Sequence, residues 1–196
     1  MSFDGITIRA IVAELEQTLA DGRIDKIAQP ERDEVVLTVR SSRVSHRLLI
    51  SCNASYPRLH LTEGSKESPF VAPMFCMMLR KHIMGGRIRK INQPEMERVV
   101  EIYIEAFNEI GDLCEKVLIL EVMGRHSNII LVGEGGTVLD SIKHVPLSLS
   151  VVRQVLPGRP YVPPPSQGKV NPLNVGSFCG CDDVDSLNLE GTGAVA

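Results

Sequence analysis

The chain states one fifteen-residue phrase twice. Gly22-Arg23-Ile24-Asp25-Lys26-Ile27-Ala28-Gln29-Pro30-Glu31-Arg32-Asp33-Glu34-Val35-Val36 returns 64 residues later as Gly86-Arg87-Ile88-Arg89-Lys90-Ile91-Asn92-Gln93-Pro94-Glu95-Met96-Glu97-Arg98-Val99-Val100. The Gly, Arg, Ile, Lys, Ile, Gln, Pro, Glu and Val-Val positions coincide, so the fold must accommodate one unit used twice. The correspondence resumes downstream, where residues 54–61 align with residues 124–131 at an offset of 70. About six residues are therefore inserted between, and Asn108-Glu109-Ile110-Gly111-Asp112 reads as the turn that holds them.

Each unit reads as a helix followed by four strands. Asp4 can cap a helix beginning near Gly5, with Ile8, Ile11, Val12, Leu15 and Leu19 on one stripe and Asp21-Gly22 as its stop. Strands are expected over residues 24–29, with Pro30 as a break, then around Val35, Leu37 and Val39, over 47–52 and over 58–62. The programme restarts with Pro73 in the first turn of a second helix, on which Met74, Met77, Met78, His82 and Ile83 can share a face, and Gly85-Gly86 ends it. Strands follow near 87–93, 98–107, 116–122 and 128–132, with a short one near 138–142. The six methionines from Met74 to Met123 read as core filling. The predicted fold is α+β: a pseudo-twofold pair of helix-plus-four-strand units forming a β-sandwich or flattened barrel with flanking helices. From Val155 a proline-rich stretch should run extended. The expected domain covers residues 1–170, with 171–196 an acidic, flexible tail or the truncated start of another segment.

Charge excludes little. All 21 Lys and Arg lie at or before Lys169, and removing the last 27 residues with their four acids leaves 21 bases against 20 acids. A nucleic-acid reading must rest on local patches. Five cysteines show no disulfide framework, no apolar run reaches the roughly 18 residues of a membrane span, and the N-terminus lacks a signal pattern, so a reduced cytoplasmic protein without membrane attachment is expected. Cys179-x-Cys181 supplies only two soft ligands, short of a zinc site, and no metal or cofactor is expected.

Three features could carry function. Arg80, Lys81, His82, Arg87, Arg89 and Lys90 form the densest basic run; alternation puts Arg87 and Arg89 on one face of a strand and Lys90 on the other, where they can grip phosphates or merely guard a strand edge. Glu97-Arg98, at a strand entry in the more charged copy, is either a recognition pair or a surface salt bridge. The loop holding Arg125, His126, Ser127 and Asn128 either contacts a ligand or satisfies its own backbone.

The chain also resembles a known family. Met1-Ser2-Phe3-Asp4-Gly5, Pro73-Met74-Phe75-Cys76-Met77-Met78-Leu79-Arg80-Lys81-His82, the run from Glu121 to Leu131, Lys143-His144-Val145 and Val155-Leu156-Pro157-Gly158 look like the NFACT-N domain of the RqcH/NEMF family, nearest its bacterial RqcH branch. An older name is the fibronectin-binding protein A N-terminal domain. The resemblance implies a fold similar to the N-terminal domain of formamidopyrimidine-DNA glycosylases. It implies a role in ribosome-associated quality control: binding large ribosomal subunits obstructed by peptidyl-tRNA and recruiting alanyl-tRNA for template-free C-terminal alanine addition. The family's tRNA-recruiting acidic-Arg pair falls on Glu97-Arg98, where the family pattern usually has Asp; Glu97 keeps the charge and adds a methylene. Arg87, Arg89, Lys90, Arg125, His126, Ser127 and Asn128 are further candidate contacts. No catalysis is expected, base excision included, since Ser2 and Phe3 follow Met1 where those glycosylases use an N-terminal proline amine and a glutamate. Ribosome attachment needs segments beyond this chain. The alternative implied by the older name is a surface adhesin for fibronectin.

Overall fold

In the computed structural model, residues 3–108, 110–148, 150 and 153–165 are described. They lie almost wholly within one compact unit, Met1–Pro164. The expected boundary at 170, the tail and Cys179-x-Cys181 fall outside the described residues.

Helix α1 (Gly5–Leu19) is capped as its sequence requires, with the Asp4 carboxylate accepting from Thr7 N–H at 2.8 Å. It buries Ile8, Val12, Leu15 and Leu19. Four antiparallel strands follow: β1 (Arg23–Glu31), β2 (Glu34–Ser41), β3 (Val44–Ser51) and β4 (Arg58–Leu61). The second copy repeats them as α2 (Met74–Ile83), β5 (Arg87–Asn92), β6 (Val99–Phe107), β7 (Leu113–Glu121) and β8 (Asn128–Val132), then adds β9 (Val138–Ser141). The strands form one continuous sheet of order β4-β3-β2-β1-β5-β6-β7-β8-β9. Its two halves and both helices bury their apolar faces in one common cluster, from Ile24, Leu37 and Leu48 to Ile88, Ile104 and Leu118.

The halves meet at a narrow β1–β5 seam whose hydrogen bonds come in pairs related by the 64-residue offset. Ile24 N–H donates to Gly86 C=O and Ile88 N–H to Gly22 C=O, both at 2.9 Å. Gly85 N–H donates to Ile24 C=O and Asp21 N–H to Ile88 C=O, both at 2.8 Å. Asp21 and Gly85, at equivalent positions, both take a left-handed φ, +58° and +81°. The duplication read in the sequence is therefore a structural pseudo-dyad through the seam. It extends to side chains: Arg80 Nε donates to Ile27 C=O, while its counterpart Glu16 accepts from Ile91 N–H.

Three local readings change. Pro30 does not end β1; the strand passes through it at an irregularity between Ala28 and Glu31, where the missing N–H disrupts no regular ladder. The buried stripe of α2 is Phe75, Cys76, Leu79 and Ile83, and none of the six methionines from Met74 to Met123 is buried. The repeat also gains one residue after its proline: Cys52 N–H donates to Asp33 C=O where Val122 N–H donates to Arg98 C=O. Arg98 thus occupies the place of Asp33, and Glu97 that of Arg32.

The outer face of β6–β9 carries a second apolar cluster of Val99, Ile119, Ile130, Val132 and Val138. The returning chain covers it with Val155, paired to Val145.

Candidate nucleic-acid interface

The repeated glutamine explains how residues 94–98 are held. Gln93 is buried, and its Nε2 donates to both Gly5 C=O and Glu97 C=O at 2.9 Å. Glu97 N–H closes a turn onto Pro94 C=O at 2.9 Å. The start of α1 presses on this turn so closely that a Cβ on Gly5 would lie 2.4 Å from Met96 C=O. Beyond it, Val122 N–H holds Arg98 C=O at 2.8 Å, and Val99 and Val100 plunge into the two apolar clusters. The backbone of Glu97-Arg98 is fixed on both sides, while both side chains are exposed.

The two do not form a salt bridge, and neither side chain has a hydrogen-bond or ion-pair partner among the described residues. Arg98 therefore presents its fork of donors to solvent from a rigid base, an arrangement suited to a phosphate or carboxylate. The first copy differs. Gln29 Nε2 reaches Arg32 C=O only at 3.4 Å, and the Asp33 carboxylate is occupied by Asn53 Nδ2 at 2.7 Å.

The basic run divides by partner. A bulge between Ile88 and Lys90 turns Lys90 outward with Arg89, so the expected opposition of faces fails; Lys90 lies 5.9 Å from the Tyr103 ring centroid. Arg89 is committed to carboxylates, Nε to Glu105 at 2.9 Å and Nη1 to Asp21 at 2.7 Å, and those bonds push its pKa up. Arg87 donates from Nη1 to Asp21 C=O at 3.1 Å and stands directly across the seam from Arg23.

The 123–128 loop separates likewise. Gly124–His126 form a single 3-10 turn, with Gly124 at φ +54°, leaving Arg125 and His126 exposed and bonded to each other at 3.0 Å. Ser127 and Asn128 are buried. Ser127 Oγ accepts from Met123 N–H, and Asn128 bonds Lys143 C=O and N–H and its neighbour Ile129 N–H. Lys143 Nζ in turn donates to Cys52 C=O and Ser127 C=O, each at 2.8 Å. The polar atoms of Ser127 and Asn128 are thus engaged within the fold, and of the four candidate residues in this loop Arg125 and His126 are the exposed ones.

Sequence reasoning passed over a buried group behind the Arg98 turn. Glu121, fully buried opposite Val99, accepts from Arg153 Nη1 and Tyr161 Oη, each at 2.9 Å, and from Arg153 Nη2. Burial and the Glu121 carboxylate hold the Tyr161 phenol far above its usual pKa. A carboxylate closing the apolar run Val117-Leu118-Ile119-Leu120 was the available signal, since a buried acid requires a cation. Among the described residues no helix is long and apolar enough to cross a membrane.

Known proteins match this arrangement. The family model of the NFACT N-terminal and middle domains matches residues 4–190. The Rqc2 homolog RqcH of Bacillus subtilis is 44% identical over 174 residues, 88% of this chain and 30% of that protein. The RqcH of Streptococcus pneumoniae is 45% identical over 89% of this chain and 32% of its own length. The chain thus spans about a third of these relatives. The crystal structure of the N-terminal domain of fibronectin-binding protein PavA from Streptococcus pneumoniae superposes with a TM-score of 0.86 at 45% identity, covering 90% of this chain and 66% of that one. Sequence, fold and motifs agree: the chain belongs to the NFACT N-terminal family, the family of the RqcH proteins.

Proposed function

We propose that this chain is the tRNA-holding module of a cytoplasmic ribosome quality-control factor. The whole protein would bind large subunits obstructed by peptidyl-tRNA and recruit alanyl-tRNA for template-free alanine addition to the stalled chain. The module positions tRNA and leaves the chemistry to the ribosome. The observation that carries this reading is Arg98: an exposed guanidinium, without a polar partner among the described residues, on a backbone pinned by Gln93 and by Val122 N–H. Glu97 beside it can orient a bound nucleotide or the guanidinium itself. Arg125 and His126 are candidate outer contacts.

The test is Arg98→Ala in the full-length protein. Because the side chain is exposed and has no hydrogen-bond or ion-pair partner among the described residues, the melting temperature should stay unchanged while tRNA co-purification is lost. Wild-type binding should weaken steeply with salt, as phosphate contacts require. Wild-type tRNA occupancy in the variant would refute the assignment. A second reading, fibronectin binding, is favoured only by the description of the PavA neighbour. Capture of fibronectin by the purified protein, lost on Arg98→Ala or not, distinguishes it from tRNA recruitment.

A further inference from the structure

The pseudo-dyad seam carries a feature that folding does not account for. Arg23 and Arg87, equivalent residues of the two copies, are direct cross-strand partners in β1 and β5. Like charges directly opposite one another destabilise a sheet, yet among the described residues no carboxylate bridges the two. Arg23 has a long contact to Asp25 Oδ1 at 3.7 Å, while the other oxygen of that carboxylate, Oδ2, faces Arg40 at 3.4 Å. Arg87 spends one nitrogen on a backbone carbonyl. Both stand at the mouth of a cavity of about 580 Å³, walled by Met84, Phe107 and Leu113, with Glu105 as its acid. Glu105 is already taken by Arg89. The two opposed arginines are thus only partly compensated, Arg23 by its long Asp25 contact and Arg87 by facing Glu105 on β6, beside an open apolar wall: Phe107 is 69% exposed, Leu113 54% and Met84 52%.

We propose that this cavity is a second RNA contact, in which Arg23 and Arg87 together hold one backbone phosphate while an unstacked base lies against Phe107. Arg forks suit phosphate, and an exposed aromatic ring on a rigid strand accepts any base face. A volume of this order fits a nucleotide-sized group. Peptide binding by strand addition has no purchase here. The seam's N–H groups at Asp21, Ile24, Gly85 and Ile88 are all spent between the copies, so only side chains remain to recognise a ligand. The site lies at the opposite end of β6 from Arg98. Eight residue steps of strand separate Val99 from Phe107, about 26 Å at ~3.3 Å per residue. One RNA could therefore engage both ends, but the seam site does not depend on Arg98.

The experiment uses the 196-residue chain and a fluorescein-labelled single-stranded decauridylate. Arg23→Ala/Arg87→Ala should weaken binding about tenfold or more and lower the slope of log K against log salt by about 0.7, one single-strand phosphate. Phe107→Ala should weaken it roughly 5- to 150-fold, the range of one stacked base. Ultraviolet crosslinking should place uridine on Phe107. In an Arg98→Ala background the Phe107 crosslink and the loss on Arg23→Ala/Arg87→Ala should both persist, which separates the seam site from the tRNA-recruiting turn. Wild-type affinity and slope in the arginine double variant overturn the proposal. So does a wild-type chain that ignores decauridylate but binds an acidic, aromatic peptide through the same residues.

Discussion

Glu121→Gln removes the charge of the buried carboxylate and keeps its shape. Glu121 is 0% exposed and the Arg153 side chain 11% exposed. The substitution leaves Arg153 buried with a neutral amide, Tyr161 Oη and Val162 C=O for company. Breaking a buried pair from one side costs about 3–5 kcal/mol, because the remaining charge stays desolvated. Against a total stability of about 5–15 kcal/mol that is a large fraction. At about 2–4 °C per kcal/mol for a domain of this size, the melting temperature should drop by roughly 6–20 °C. Replacing both partners by apolar groups, Glu121→Leu with Arg153→Met, should cost far less, since that also removes the desolvation penalty. The assay is urea unfolding of wild type, Glu121→Leu, Arg153→Met and the double variant as a cycle, with Glu121→Gln measured beside them. A single-variant loss below about 1 kcal/mol, or a double variant no better than the worse single, refutes the reasoning. Because Val99 pairs with Glu121 one residue from Arg98, loosening this pair should also raise hydrogen exchange at Val122 N–H, which holds the Arg98 carbonyl.

Two further outcomes follow from the seam and the tyrosines. Gly22→Ala and Gly86→Ala should each destabilise by about 1–3 kcal/mol in thermal unfolding, since a Cβ would stand 2.6 Å from Val39 Cγ1 in the first case and 2.9 Å from Glu105 C=O in the second; neutral or raised stability would contradict the close packing of each glycine against the neighbouring strand of its own copy. Tyr103 is pushed up to about 12 by burial and by the Glu101 carboxylate, and Tyr161 is raised further. Their neutral forms are favoured in the fold, so that stability is fully present below about pH 10, the ordinary tyrosine value, and is lost as pH rises through the native values. Denaturation at pH 9 to 11 should show this decline, and it should flatten in Tyr161→Phe.

The duplication and element order were legible because they rest on periodicity and turn chemistry that each segment carries alone. Asp4, the α1 stripe and the strands near 128–132 and 138–142 behave as their local pattern requires. What failed depends on geometry between segments. Alternation places Lys90 opposite Arg89 only in a regular strand, and the bulge after Ile88 is set by its pairing with β6. The methionines of α2 look like core by spacing, but Phe75 and Cys76 fit the facing sheet and leave Met74 and Met77 outside. Ser127 bonds within its own loop, as its local chemistry allows, but the main partner of the Asn128 side chain, Lys143, lies 15 positions away, beyond any local pattern. Arg153 is 32 positions from Glu121, beyond any local pattern.

The pseudo-dyad sharpens what distinguishes the two copies. A duplicated unit can keep a position for the fold only if both copies use it the same way. Gln29 and Gln93 pass that test, each buried and donating to the carbonyl of the turn that follows. Glu16 and Arg80 pass it with reversed polarity, each tethering the opposite copy's strand. Asp33 and Arg98 do not. Their carbonyls accept equivalent bonds, but the Asp33 side chain is folded onto Asn53 while that of Arg98 is left in solvent. The turn before Arg98 is one residue longer, but at the aligned position the carbonyl is held alike in both copies and the side chain is what differs, which is where a duplicated scaffold can acquire a binding group without losing its fold. Exchanging the two, Asp33→Arg with Arg98→Asp, should therefore leave a folded protein that no longer recruits tRNA. An exchanged protein that recruits tRNA as wild type does would show that net charge alone, and not the turn built by Gln93, decides recognition.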